Sequence, residues 1–422
     1  MKYAELTKEQ LDTLLAAQRR EYEEIAAKGY KVDIARGKPC FEQAKLAFGM
    51  LDAPMAEDFP KSSLNYGGLE GIPEMRALFA QILGLEPSEV FVGGNSSLNL
   101  MYDTVQRGMQ FGFDGCEPWN RSAIKFLCPV PGYDRHFGIT EHFGIEMINI
   151  PMNEDGPNMD LVENYVANDP SVKGIWCVPK YSNPTGITYS DEVVTRLATM
   201  PAAAKDFRIF WDNAYCVHDL TDTPAKLANI MTIAKKAGNE DRIFEFASTS
   251  KITLAGAGVA CMGMSEKNLK EALSHITFQT IGYDKVNQYR HYVFLRSVDH
   301  IKEIMDRQRE IIAPKFKAII DALAQNFGDD CDIASWTEPR GGYFISLDVL
   351  GGCAKEVGRL CKAAGLTITS AGATYPYGKD DADRNLRIAP TFTSESDLPA
   401  AIEILIASVK LACMSKLAEE KE

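Results

Sequence analysis

Between residues 72 and 300 short apolar runs alternate with stretches of helical periodicity, and this alternation narrows the fold more than any other feature of the chain. The runs are Val90-Phe-Val-Gly, Ala123-Ile-Lys-Phe-Leu-Cys, Gly174-Ile-Trp-Cys-Val-Pro, Arg208-Ile-Phe-Trp-Asp, Ile243-Phe-Glu-Phe-Ala and Val259-Ala-Cys-Met-Gly-Met. They show little internal alternation, as expected of strands buried on both faces. With helices between them, they predict a mostly parallel sheet in an α/β fold. A long amphipathic pattern near 298–326, the run Tyr343-Phe-Ile-Ser-Leu-Asp and Leu386-Arg-Ile-Ala-Pro then suggest a smaller α+β unit. A helix over 7–28 and a short strand at Val32-Asp-Ile-Ala are expected to join it. This divides the chain into a large domain, 51–297, and a small one from 1–50 and 298–422.

The chain has 422 residues, enough for two or three domains with a large core. Its net charge is −13, from 45 basic and 58 acidic residues, and no Lys/Arg run appears, so neither nucleic acid nor an anionic membrane is an expected partner. The charged N-terminus does not read as a signal peptide, and no stretch reads as long enough to span a bilayer; a cytoplasmic location follows. Ten cysteines lie scattered from Cys40 to Cys413 without Cys-x-x-Cys or His at ligand spacing, which predicts reduced thiols and no metal site.

In open α/β sheets ligands gather at the carboxyl ends of strands, and four segments there carry chemistry. Gly93-Gly-Asn-Ser-Ser follows the first run and opens a helical pattern at Leu98. Glycines, hydroxyls and a helix N-terminus suit a phosphate, although a plain Ser/Asn cap explains the segment equally simply. Asn183, in Ser-Asn-Pro-Thr-Gly, is held out of helical conformation by the following proline, where its amide can donate to an anionic oxygen; the bland alternative is a turn. Asp212 and Tyr215 close the next run, where a carboxylate in apolar surroundings needs a cation or serves as a cap. Lys251, in Ser248-Thr-Ser-Lys, ends the run after that. A lysine buried there would have a lowered pKa and a nucleophilic amine suited to an aldehyde.

Taken in order, the Gly93 cup, Asn-Pro-Thr-Gly, Asp-x-x-Tyr and Ser-x-Ser-Lys resemble the fold-type I pyridoxal-phosphate enzymes, and among these the class-I aminotransferases. The resemblance extends over nearly the whole chain. It implies a seven-stranded sheet sandwiched by helices, pyridoxal 5'-phosphate as cofactor, and amino-acid and 2-oxo-acid substrates. It also implies a homodimer with shared sites. By the same resemblance Lys251 is the cofactor-holding catalytic lysine, Asp212 faces the pyridine nitrogen, and Asn183 and Tyr215 hold the ring oxygen. Gly94, Asn95, Ser96, Ser97, Ser248 and Ser250 hold the phosphate. Tyr66, in Tyr-Gly-Gly-Leu-Glu-Gly, matches the tyrosine that reaches the partner's phosphate; Tyr133, in Pro-Gly-Tyr, matches the ring-stacking aromatic. Arg387, in Asn-Leu-Arg-Ile-Ala, matches the fork for the substrate α-carboxylate, and Gly37 a backbone position beside it.

One departure stands out: the family's phosphate-binding arginine after the lysine is replaced by Gly256-Ala-Gly258, so the serines and Lys180 are candidates to compensate. Val-Pro-Lys-Tyr-Ser-Asn-Pro-Thr-Gly and Asp284-Lys-Val-Asn-Gln resemble a divergent subgroup of aspartate aminotransferases. That implies transfer from L-aspartate to 2-oxoglutarate; an aminotransferase of other specificity or a cysteine-sulfur β-lyase would use the same residues, and a ligand-sensing module is a remote alternative. A dicarboxylate needs a second cation, for which Arg36, Lys38, Lys180, Arg290 and Arg340 are candidates.

Overall fold

The structure is a computed structural model that describes residues 2–52, 54, 56–328 and 331–421. Its strands are β1 (Val32–Asp33), β2 (Val90–Val92), β3 (Lys125–Val130), β4 (Glu146–Asn153), β5 (Gly156–Pro157), β6 (Val172–Cys177) and β7 (Arg208–Asp212). They continue with β8 (Ile243–Ser248), β9 (Ala260–Gly263), β10 (Ala334–Trp336), β11 (Ile345–Val349), β12 (Leu366–Thr367) and β13 (Asn385–Ile388). The large sheet has the order β2-β9-β8-β7-β6-β3-β4-β5. From β8 to β4 the pairing is parallel, whereas β9 runs antiparallel to both β8 and β2. Seven strands make the sheet proper, and β5 adds a two-residue hairpin against the end of β4.

The uninterrupted apolar runs follow from burial on both faces. Ile175, Ile209 and Ile243 pack with Val193, Val194 and Leu197 on one side. Phe126, Trp176, Phe210, Phe244 and Phe246 meet Leu100, Val105 and Leu269 on the other. Glu245 breaks the pattern in the middle of β8. Burial pushes its carboxyl up to about 8, and its Oε1 accepts from Asn213 Nδ2 at 3.1 Å.

The remaining elements draw on both ends of the chain. Helix Lys8–Ala27 starts at a capping box, with Gln10 N donating to Thr7 Oγ1 and Thr7 N to Gln10 Oε1, and gives way to Gly29 at φ +70°. It packs on helix Leu398–Glu419. That helix corrects one expectation: at 22 residues and mean hydropathy 1.7 it is long and apolar enough to cross a bilayer. Most of it is instead buried in the fold, with Ile404, Leu405 and Val409 packed beside Leu347, Leu386 and Ile388. Its apolar length thus serves a protein core. β1 pairs in parallel with β12, and β10, β11 and β13 form an antiparallel sheet. β11 begins at Ile345 rather than Tyr343, where its pairing with Ile388 of β13 starts, and the rings of Tyr343 and Phe344 lie near that of Tyr215. The long helix Val298–Phe327 runs through Pro314 without ending.

Candidate active site

The carboxyl ends of β6, β7 and β8 open into a cavity of about 410 Å³. Among the residues proposed from sequence, Gly37, Ser96, Ser97, Tyr133, Asn183, Asp212, Tyr215, Ser248, Ser250, Lys251 and Arg387 all line it. Residues more than 300 positions apart in sequence therefore share one wall.

Lys251 follows β8 and lies with its Nζ 5.1 Å from the ring centroid of Tyr215 and 6.0 Å from that of Tyr343. Desolvation lowers its pKa below the usual ammonium value, opposed by the charge of Asp212, so the free amine is more accessible than on an exposed lysine. Behind it runs a buried relay that the sequence reading missed. Gln43 Nε2 donates to Tyr343 Oη and to Gln308 Oε1, each at 2.9 Å, and Gln308 Nε2 donates to the Ile252 carbonyl at 2.9 Å. His218 packs edge-on to Tyr215 and Tyr343, and burial lowers its pKa to about 3, which keeps the imidazole neutral.

Asp212 ends β7 with both oxygens buried. Oδ2 lies 3.0 Å from His136 Nε2, while Oδ1 has no hydrogen-bond partner among the described residues. His136 stacks on Trp176 with ring centroids 4.4 Å apart, and Trp176 Nε1 donates to Thr140 Oγ1, which donates to the His136 carbonyl. His136 is thus fixed on one side of the carboxylate, leaving the other oxygen for a donor that the described residues do not supply. A buried acceptor of this kind fits the protonated ring nitrogen of pyridoxal phosphate. Burial raises the pKa of the Tyr215 and Tyr133 phenols, so both remain hydrogen-bond donors.

Arg387, on β13, donates from Nη1 to Asn183 Oδ1 at 3.3 Å and to Asp134 Oδ1 at 2.7 Å. Its guanidinium lies 5.0 Å from the Phe344 ring centroid. The Asn183 contact orients that amide, turning its Nδ2 into the group left to donate. Gly37 has to be glycine here for space: a Cβ on it would collide with the Phe344 ring. Asp134, adjoining Tyr133, was not singled out from sequence.

The serines divide. Ser96 caps helix Ser97–Phe111 by position, yet its side chain makes no capping bond, and the hydroxyl is available to a ligand. Ser248 Oγ donates to Ser250 Oγ at 3.1 Å, and Ser250 Oγ to the Asn95 carbonyl at 3.3 Å. Gly94 and Asn95 line a neighbouring cavity rather than this one, because the Gly94 carbonyl extends the sheet by accepting from Ala260 N. Gly258 lies against Ser250: a Cβ there would stand 3.0 Å from Ser250 Oγ, so a side chain at 258 would press on the serine.

Lys180 does not reach this cavity. Its Nζ donates to the Cys216 carbonyl at 2.9 Å and pairs with Asp219 at 3.3 Å, lining a separate cavity of about 300 Å³ with Glu245 and Asn213. The chain turns at Tyr181, φ +52°, which separates Lys180 from Asn183. Tyr66 is 83 % exposed and lines none of these cavities.

A doubly covered sheet with a buried lysine and an under-bonded carboxylate at its strand ends, and an arginine from β13 lining the same cavity, has the make-up of an enzyme of amino-group chemistry. The chain matches the family described as Aspartate amino-transferase over residues 6–421, and it belongs to that family. It is an aminotransferase. An aspartate aminotransferase of Corynebacterium glutamicum is 44% identical over 400 residues, 93% of this chain and 92% of that protein. The crystal structure of an aspartate transaminase from Corynebacterium glutamicum superimposes with a TM-score of 0.96 at 42% identity, covering 99% of each chain. The α-aminoadipate aminotransferase LysN of Thermus thermophilus, at 19% identity over 95% of each chain and a TM-score of 0.72, shares the fold.

Proposed function

We propose that the chain transfers the amino group of L-aspartate to 2-oxoglutarate with pyridoxal 5'-phosphate as cofactor. The observation that carries the cofactor assignment is the buried, unpartnered Oδ1 of Asp212 in the cavity shared by Lys251 and Arg387. Pyridoxal phosphate, when bound, withdraws electrons from the substrate Cα and carries the amino group between the two half-reactions. Lys251 would hold its aldehyde, and the freed Nζ would carry the proton from the substrate Cα to the aldehyde carbon, a task suited to an amine with a lowered pKa.

Asp212 Oδ1, with the carboxylate held in place by His136, would accept the ring N–H, while Asn183 and Tyr215 would donate to the ring oxygen and Tyr133 would cover the ring. Ser96, Ser97, Ser248 and Ser250, with the N–H groups of helix Ser97–Phe111, receive the phosphate; several neutral donors replace one arginine. Arg387 forks the substrate α-carboxylate beside Gly37.

We place the enzyme in the cytoplasm, a reading supported by its ten free cysteines. We also propose two domains, 51–297 and 1–50 with 298–422, and a homodimer in which Tyr66 reaches the partner's phosphate; the exposure of Tyr66 suits that role. The central test mixes the yellow enzyme with single amino acids and follows bleaching of the aldehyde form. L-Aspartate should bleach it and 2-oxoglutarate should follow as acceptor. Turnover without any oxo acid would indicate a lyase instead. Heterodimers of Tyr66→Phe and Lys251→Ala subunits should carry one intact site, and failure to recover activity on mixing would reject the shared-site arrangement.

A further inference from the structure

We propose that Arg36 and Arg135 of this same chain hold the side-chain carboxylate of a dicarboxylic substrate, an inference that rests on the dicarboxylate reading above. A second carboxylate entering the cavity must exchange water for a cation, and a guanidinium can meet both of its oxygens. The cavity wall carries Arg36, Lys38, Arg135 and Arg387 besides Lys251. Arg387 is committed to the α-carboxylate end by Asn183 and Phe344. Lys38 is drawn over the Phe392 ring, 3.6 Å from its centroid. The side chains of Arg36 and Arg135 have no hydrogen-bond or ion-pair partner among the described residues.

The other cations fall away on geometry. Lys180 is bound to Cys216 and Asp219, Arg340 to Thr223, and Arg290 donates to the Leu51 carbonyl from the wall of a different cavity.

Two features make a purely structural role for the pair hard to sustain. Arg135 sits in the first turn of helix Asp134–His142, where the helix dipole disfavours a cation, and its neighbour Asp134 is spent on Arg387. Arg36 precedes Gly37, the residue whose missing side chain lets Phe344 lie beside Arg387. Each cation therefore adjoins in sequence a residue of the α-carboxylate end and lines the same cavity, and the second carboxylate of a short dicarboxylate lies only a few bonds from the first.

The test uses holoenzyme carrying Arg36→Gln, Arg135→Gln or both, with Arg290→Gln for comparison. Single-turnover half-reactions with L-aspartate and L-alanine give the ratio of kcat/KM for the two donors, and maleate titration gives dicarboxylate affinity without turnover. Each single variant should lower the aspartate-to-alanine ratio and maleate affinity about 10-fold, and the double variant about 100-fold. Arg→Lys replacements should recover part of the loss. Equal losses for both donors, or a ratio that changes only in Arg290→Gln, would overturn the assignment. A wild-type enzyme with no preference for aspartate over alanine would instead sink the dicarboxylate reading itself, before any variant is compared.

Discussion

Asp134→Asn should make the enzyme bind its substrates more tightly. Asp134 Oδ1 and Arg387 Nη1 are 2.7 Å apart, with the arginine side chain 7% and the aspartate side chain 34% exposed. An incoming α-carboxylate therefore competes with a resident carboxylate for the same guanidinium. Two charges about 4 Å apart interact by about 1 kcal/mol in water and about 4 kcal/mol near a protein surface. The exposure of Asp134 places this pair toward the lower figure, at about 1–2 kcal/mol. Removing the charge should lower KM and the maleate Kd by about 5- to 30-fold. The change should be similar for L-aspartate, L-alanine and their oxo acids, since all present the same carboxylate. A modest stability loss of about 0.3–1 kcal/mol accompanies it, because Asp134 also stands at a helix N-terminus. The assay is a maleate titration alongside steady-state kinetics. A KM that rises for every substrate would show that Asp134 assists recognition, and the competition argument would be wrong.

Lys251→Ala should abolish turnover with the fold intact, and borohydride reduction followed by peptide mapping of the unmodified enzyme should place the cofactor on Lys251 and no other lysine. Asp212→Ala should lose about 3 kcal/mol or more of transition-state stabilisation; near-normal rates would reduce Asp212 to a structural group. Glu245 has a folded pKa of about 8, above the ordinary 4.5, so the native state binds the extra proton. Its contribution to stability is full below about pH 4.5 and is lost as pH rises through 8, at up to about 1.4 kcal/mol per pH unit. Glu245→Gln should flatten this slope between pH 5 and 8 in thermal melts, and an unchanged slope would show that the carboxyl is not buried as described.

The sheet was legible because β3, β6, β7 and β8 are apolar over most of their length, a pattern that double coverage by helices explains. Lys251, Asp212, Asn183 and Tyr215 were legible because each stands at or shortly after the end of such a run. What the sequence concealed depends on how loops turn. Lys180 and Asn183 are three residues apart, yet the reversal at Tyr181 sends them to different cavities. His136 gave no sign of its role, since its carboxylate partner lies 76 positions away and only the adjacency of β6 to β7 sets the Trp176 stack beside it. The Gln43–Gln308–Tyr343 relay was equally hidden, because glutamines within helices normally read as solvent-facing.

The split origin of the cavity has a consequence for synthesis of the protein. Asn183, Asp212 and Lys251, which would engage the cofactor ring, have all left the ribosome well before the chain is finished. Arg387 emerges far later, and Gly37, made early, has to wait for it: the segment beginning at β1 finds its strand partner only when Leu366–Thr367 appears. A nascent chain paused between these points could therefore offer a cofactor pocket with no means of gripping an amino acid. Truncation or fusion near helix Leu398–Glu419 should accordingly impair substrate affinity before cofactor retention, although that helix lines no part of the cavity.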